Sequence, residues 1–375
     1  MATETPSGSG RPGHDGSAAT GAATGAATGA ATAARWTVRA LLAWIVPFLK
    51  EREVDSPRIV AEVLLAEVLK VERLRLYLEP ERELDPEELS ALRALVARAG
   101  RHEPVQYLVG RWPFLGRDFE VAPCTLIPRP CTETLVEETL AWYRARGGGS
   151  IRALDLCTGT GCIAISVALG MRAIARPGGA GCKPIAAGRR AEARAESRAI
   201  DGAEAMHAEA GSAPAAEGGA ATGAVEIDAV KIHVIATDIV SDAVELARRN
   251  ALRLGIELDF RSGDLWSCVR PDERFGAIVS NPPYVTDDEY AALDRNVKEY
   301  EPATALRGGA DGLAFIRRVV EGAERHLEKD GLLAVEIGWK HRDAALALVR
   351  GATWRDARVV RDGDGIDRVL LAIRG

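Results

Sequence analysis

IRALDLCTGTGCIAISVALGM, residues 151–171, decides the fold. IRALDLC is a short apolar run bounded by glycine, which predicts a buried strand, and CIAISVALGM continues as an apolar helix. Between them lies Thr158-Gly159-Thr160-Gly161. A strand that enters a glycine turn and leaves as a helix lets the backbone pass close to a ligand, because glycine adopts turn conformations closed to other residues. Taken alone the turn is ambiguous. Gly159-Thr-Gly161-Cys-Ile-Ala164 also fits the dinucleotide pattern GxGxxA, and a purely structural tight turn reads the same way.

Downstream of this unit the chain alternates. HVIATD is a second strand, followed by the helix SDAVELARRNALRLG. LDFRSGD ends a third strand and GAIVSNPPY a fourth; FIRRVVEGAERHLEKDG is a helix and LLAVEIG a strand. Such alternation predicts an α/β domain with a parallel sheet covered on both faces. Residues 171–230 interrupt it with an Ala/Gly/Arg/Glu-rich block of little apolar periodicity, expected to be a disordered insertion. A helix-to-strand loop in a parallel sheet lies opposite the strand C-termini, where ligands bind, so the block is expected to lie far from the chemistry.

Upstream, EPVQYLVGRWPFLGRDFEVAPCTLIP mixes alternating apolar runs with Gly and Pro and predicts a β-hairpin. Before it, VRALLAWIVPFLKE, SPRIVAEVLLAEVLKV and EELSALRALVARA have helical spacing, with Pro47 as a kink or break and Asp55, Ser56 and Asp85 before Pro57 and Pro86 as helix starts. The first residues carry the repeat GAATGAATGAAT and have almost nothing to bury. The division is therefore a disordered tail (1–34), a helical domain (35–100), a hairpin linker (101–129) and a sheet domain (130–375).

Bulk properties narrow the function. The formal net charge of −6 lowers the expectation of a nucleic-acid enzyme, which needs a basic face. No run of about 18 apolar residues occurs, so no membrane segment is expected. Glu4 and Asp15 with no apolar stretch argue against a secretory signal. The six cysteines lack CxxC or Cys/His ligand spacing, which points to a reducing cytoplasm and no metal site.

Four places carry chemistry. The glycine turn is the first. Asp238, closing the second strand, is placed to accept from both hydroxyls of a ribose, and a helix cap is its plainer reading. Asp264 and Leu265 after the third strand would flank an adenine. The fourth is Asn281-Pro282-Pro283-Tyr284 after the fourth strand. Two prolines fix the backbone and remove two N–H donors, leaving the carbonyls and the Asn281 amide oxygen as acceptors. An amide or aromatic amine nitrogen is a poor nucleophile because its lone pair is delocalised. Acceptors that grip its hydrogens free that lone pair and stabilise the positive charge that develops. Tyr284 offers a flat face for a planar group. The electrophile matching this arrangement is a sulfonium methyl, transferred in line within a water-poor site.

These segments, with LIPRPCTETLVE and EPATALRGGADGL, resemble the protein-(glutamine-N5) methyltransferases that act on peptide chain release factors. The resemblance covers roughly residues 36–170 and 231–373. It implies a Rossmann-like class I methyltransferase sheet with an N-terminal helical domain joined by a β-hairpin. It also implies S-adenosyl-L-methionine as cofactor, a release factor as protein substrate, no direct nucleic-acid contact, no membrane and a cytoplasmic setting. Cys157, Thr158, Gly159, Thr160 and Gly161 would cradle the methionine part, Asp238 the ribose, and Asp264 and Leu265 the adenine. Asn281, Pro282, Pro283 and Tyr284 would grip the glutamine, with Asn281, Pro282 and Tyr284 as the catalytic residues and Asn281 also touching the cofactor. Three positions depart from the family pattern: Cys157 stands for a common Gly, Cys131 for an Asp, and Trp112-Pro113-Phe114 for a pattern with an acid before Phe. The alternatives are an adenine-N6 methyltransferase, which uses the same grip but must flip a base, a binding protein that keeps the fold without activity, and a dehydrogenase, which leaves the NPPY segment unexplained.

Overall fold

The computed structural model describes residues 36–176 and 230–375, and Trp36–Gly375 is one compact unit. The chain begins with helices α1 (Val38–Lys50), α2 (Pro57–Leu69), α3 (Arg73–Leu78) and α4 (Pro86–Ala99). Their inward faces share one core, including Ile45, Leu49, Leu64, Leu65, Leu92 and Val96. The expected kink or break at Pro47 does not end α1. The helix runs on to Lys50 because Ile45 and Leu49, on either side of the proline, are both fully buried. Asp85 starts α4 as expected: its carboxylate accepts from the N–H of Glu87 and Glu88, and the Glu88 side chain returns to Asp85 N. Such a cap is worth about 1 kcal/mol.

The linker differs from expectation in its first third. Residues 105–109 form a helix, α5 (Val105–Val109), before the hairpin strands β1 (Arg111–Phe114) and β2 (Arg117–Glu120). Val105 and Leu108 lie three apart and close the helical core. Tyr107 points the other way, into Val121 and Ile127, and donates its hydroxyl to Thr125 O at 2.6 Å. Helical spacing therefore serves two cores at once, which an alternating pattern could not.

After α6 (Glu133–Ala145) come β3 (Ile151–Leu156), α7 (Cys162–Ala175), β4 (Ile232–Asp238), α8 (Ser241–Arg253), β5 (Asp259–Ser262) and β6 (Phe275–Ser280). Three short helices follow, α9 (Asp287–Ala291), α10 (Arg295–Lys298) and α11 (Ala303–Leu306). Then come α12 (Ala314–His326), β7 (Leu327–Glu336), α13 (Arg342–Leu348), β8 (Trp354–Arg361) and β9 (Asp367–Arg374). The seven-stranded sheet runs β5-β4-β3-β6-β7-β9-β8, parallel except for antiparallel β9. This is the Rossmann-like sheet that the resemblance implied. Strand residues alternate between two cores: Ala153, Ala277, Val279 and Leu332 face α6 and α7, while Leu154, Ile278 and Leu333 face α12. Each fully buried Leu or Ile contributes about 1.5–3 kcal/mol.

Three boundaries depart from the sequence reading. The helix expected to reach Gly331 stops at His326, because β7 starts at Leu327 and bulges. Leu327 pairs with Phe275 and Leu332 with Ala277, so residues 328–331 loop out opposite Gly276. β8 and β9 were not anticipated. α7 extends to Ala175, with Met171 fully buried, so residues 171–175 belong to the helix. The disorder expected of residues 1–34 and of the rest of the 171–230 block concerns positions outside the described residues. The described chain resumes beside Ile151, the first residue of β3, at the edge opposite the strand C-termini. Among the described residues, no helix is long and apolar enough to cross a membrane.

Candidate active site

At the C-terminal edge of β3, β4 and β6 the loops enclose a cavity of about 550 Å³. Nine of the residues singled out from the sequence line it: Cys157, Thr158, Gly159, Thr160, Asp238, Asp264, Leu265, Asn281 and Pro283. Gly161, Pro282 and Tyr284 are not among the lining residues. The remaining walls come from residues 124–128 after the hairpin, residues 303–309 and Phe315.

Two carboxylates hold the glycine turn. Asp155, fully buried at the end of β3, accepts from Thr158 Oγ1 at 2.7 Å and Ala164 N at 3.1 Å, both at Oδ2. Its Oδ1 has no hydrogen-bond partner among the described residues. Burial pushes the carboxyl up to about 7, against the pull of those two donors. Asp238 accepts from Gly159 N at 2.9 Å at one oxygen and from Val240 N at 3.0 Å at the other. Burial raises its carboxyl too, and the backbone donors hold it down. Each oxygen keeps a second lone pair, so the helix-cap reading and a ligand-facing role are compatible. Gly161 has φ +79°, and a Cβ there would stand 3.0 Å from Ala247 Cβ, so the turn passes directly under α8. Cys157 occupies the left-handed region at φ +62°, where a residue with a Cβ is strained. A glycine, which the resemblance implied at this position, would adopt that conformation without strain. Burial, with Asp238 and Asp155 beside it, holds the Cys157 thiol well above its usual range.

The Asn281–Tyr284 segment is braced from behind. Val285 N donates to Leu306 O and Gly308 N to Val285 O, both at 2.8 Å. A Cβ on Gly308 would stand 2.7 Å from Tyr284 Cα and 2.9 Å from Pro283 O. The glycines of EPATALRGGADGL thus let that loop lie against the backbone of the segment. Asn281 Nδ2 donates to Thr132 Oγ1 at 3.4 Å, a long bond that turns Oδ1 away from Thr132. The Tyr284 hydroxyl donates to Glu336 Oε1 at 3.1 Å, inside the fold. Burial raises both the Tyr284 hydroxyl and the Glu336 carboxyl. Tyr284 is thus anchored through its hydroxyl on Glu336, and it is not among the residues that line the cavity. Cys131 Sγ lies 4.0 Å from the same Glu336 oxygen and can donate to it, where an aspartate would present a like charge. Glu301, almost fully buried, accepts from Ile127 N at 3.1 Å and forms an ion pair with Arg129, joining the 303–309 brace to the hairpin exit.

The Asp264 carboxylate is engaged by Arg318 at 2.7 Å, with both side chains about half exposed at 47%. Exposed pairs are worth about 0–1 kcal/mol, so a ligand donor can displace Arg318. Sequence reasoning passed over Thr132, Phe315, Glu301 and Glu336. Glu336 alone carried a signal, a charge closing the apolar run LLAVEIG; the others are ordinary until folding brings them to the cavity.

Family models match in two places: the PrmC N-terminal domain over residues 40–110 and the methyltransferase small domain over residues 218–300. A release factor glutamine methyltransferase of Geobacter sulfurreducens is 33% identical over 335 residues, covering 89% of this chain and 96% of its own. One of Koribacter versatilis is 33% identical, covering 86% and 93%, and one of Bordetella pertussis is 33% identical, covering 84% and 93%. Over nearly the whole of the relatives' lengths, then, the likeness takes in both the helical region and the cavity-bearing sheet, and the chain is a methyltransferase belonging to the release factor glutamine methyltransferase family.

Proposed function

We propose that the chain transfers a methyl group from S-adenosyl-L-methionine to the side-chain amide nitrogen of the glutamine in the Gly-Gly-Gln motif of a peptide chain release factor. The observation that carries this reading is that Cys157, Thr158, Gly159 and Thr160 of the glycine turn, Asp238, Asn281 and Pro283 all line one cavity. Its volume falls within the range of about 300–1,000 Å³ usual for small-molecule sites. Its lining suits a nucleoside joined to an amino acid: Asp238 for the ribose hydroxyls, Leu265 and Phe315 as apolar walls with Asp264 at the rim for an adenine, and Cys157, Thr158, Gly159 and Thr160 for the methionine end, with Gly161 shaping the turn.

The cofactor supplies an electrophilic methyl group on a sulfonium sulfur. The protein's part is alignment and electrostatics. Asn281 Oδ1 and the carbonyls beside Pro282 and Pro283 accept the two amide hydrogens. This would hold the nitrogen lone pair toward the methyl group and stabilise positive charge on nitrogen as the N–C bond forms and the S–C bond breaks, the cofactor leaving as its neutral thioether. Thr132 fixes which end of the Asn281 amide faces the cavity, and Tyr284 on Glu336 keeps the segment from retreating. The proton then leaves to solvent after transfer.

The relatives' names supply the release factor as substrate class. The test is intact-mass analysis of release factor and of adenine-containing DNA, each incubated with enzyme and cofactor. One added methyl on the Gly-Gly-Gln glutamine is expected. Methylated DNA beside unmodified release factor overturns the proposal in favour of adenine-N6 methylation.

A further inference from the structure

Asn250 sits in the last turn of α8 with its side chain fully buried, and every hydrogen-bonding position of its amide is used. Oδ1 accepts from Glu120 N at 2.7 Å and from Arg253 Nη2 at 3.1 Å. Nδ2 donates to Glu120 O and to Thr160 O, each at 3.0 Å. An asparagine amide offers two acceptor and two donor positions, so nothing is left over. Buried polar groups satisfied this completely hold their partners rigidly, and leaving any one unpaired is costly.

The identity of the partners raises this above a satisfied core residue. Thr160 belongs to the glycine turn. Glu120 is the last residue of β2, and the chain that leaves it supplies Cys124, Thr125 and Leu126 to the cavity wall. Asn250 pairs with the Glu120 backbone in both directions, as a neighbouring strand would. One side chain therefore joins two walls of the cavity that are far apart in the chain, at Glu120 and at Thr160. The contact of Gly161 with Ala247, one turn earlier on the same face of α8, presses the turn against this clamp. Outside it, the exposed Arg249 pairs with the Glu120 carboxylate, and Arg253 reaches Asp118 O.

We propose that Asn250 is a positioning residue for cofactor loading, locking the glycine turn to the hairpin exit so that cofactor binding and seating of the hairpin are coupled. The inference rests on the S-adenosylmethionine reading above. By reciprocity, cofactor in the cavity then steadies the hairpin as much as the seated hairpin favours cofactor.

Asn250→Asp in the full-length chain is the decisive variant. It keeps the shape and the Oδ1 acceptor, and turns the donor end into an acceptor facing the Glu120 and Thr160 carbonyls. Calorimetry with S-adenosylmethionine is expected to show Kd raised about tenfold or more, from two lost hydrogen bonds. The KM for cofactor should rise in parallel, with kcat at saturating cofactor within about threefold of wild type, since no reacting atom is touched. Cofactor should slow hydrogen exchange at the hairpin amides of the wild type and not of the variant. Arg249→Ala, which removes only the rim pair, should bind cofactor as the wild type does. If Asn250→Asp does not fold, Asn250→Ser, with one short donor, is read by the same measurements. A folded variant of either kind with lowered thermal stability and wild-type Kd overturns the inference. Failure of the wild type itself to bind S-adenosylmethionine instead overturns the cofactor reading.

Discussion

Glu301→Ala removes the buried tie between the hairpin exit and the loop that braces Asn281–Tyr284. The Glu301 side chain is 1% exposed and that of Arg129 33% exposed. Removing one partner of a fully buried pair costs about 3–5 kcal/mol, chiefly by stranding the other charge. Arg129 is a third exposed and rehydrates in part, so the ionic share falls to about 2–3 kcal/mol. The Ile127 N–H, whose acceptor at 3.1 Å is Glu301 Oε2, loses its partner as well. That adds about 1–2 kcal/mol. The expected total is about 3–5 kcal/mol for Glu301→Ala, and about half that for Glu301→Gln, which keeps the acceptor facing Arg129 or Ile127 but not the charge. Urea denaturation followed by circular dichroism, at equal slope, reads both differences. The loss should reach the cavity too, because residues 124–128 and 303–309 are its walls. A Glu301→Ala protein within about 1 kcal/mol of wild type, or a Gln variant as damaged as the Ala variant, refutes the reasoning that charge burial dominates this tie.

Asn281→Ala should lower single-turnover methyl transfer by about 3–4 kcal/mol of barrier, the loss seen on removing one group that stabilises developing charge, with cofactor affinity nearly unchanged; a comparable loss of cofactor affinity would reassign the residue. Asp155 has its folded-state carboxyl raised to about 7, so its contribution is fully present below the unfolded value and is lost as pH rises through about 7. The stability of Asp155→Asn relative to wild type should therefore improve between about pH 4 and pH 7 and level off above, and a pH-independent difference in denaturation midpoint would contradict it. Cys157→Gly should relieve the left-handed strain at φ +62°, a gain of about 1–2 kcal/mol offset by about 0.5–1 kcal/mol of glycine chain entropy. Calorimetric unfolding showing a clear loss would mean that packing of the thiol outweighs the strain.

Periodicity and punctuation made much of this protein legible in its sequence. The strand–turn–helix unit at 151–171 and the strands ending in Asp238, Asp264 and Asn281 are local patterns, because glycine and proline restrict the backbone wherever they stand. Convergence of those four strand ends follows from a parallel sheet, whose C-terminal edge gathers every βα loop. Other features depend on partners far away in the chain. Residues 105–109 form a helix because Val105 and Leu108 meet one core while Tyr107 meets another. α1 continues through Pro47 because its buried face outweighs one missing N–H. Tyr284 finds a partner for its hydroxyl in Glu336 because β7 brings that buried carboxyl to it. Asn250 was one polar residue among many on an amphipathic helix until the hairpin and the glycine turn closed around it. What the sequence determined was the chemistry each loop could offer, since that resides in side-chain type and backbone freedom. Which groups face the cavity and which face one another was decided only by the tertiary structure, because burial and long-range hydrogen bonds exist only once the walls have met.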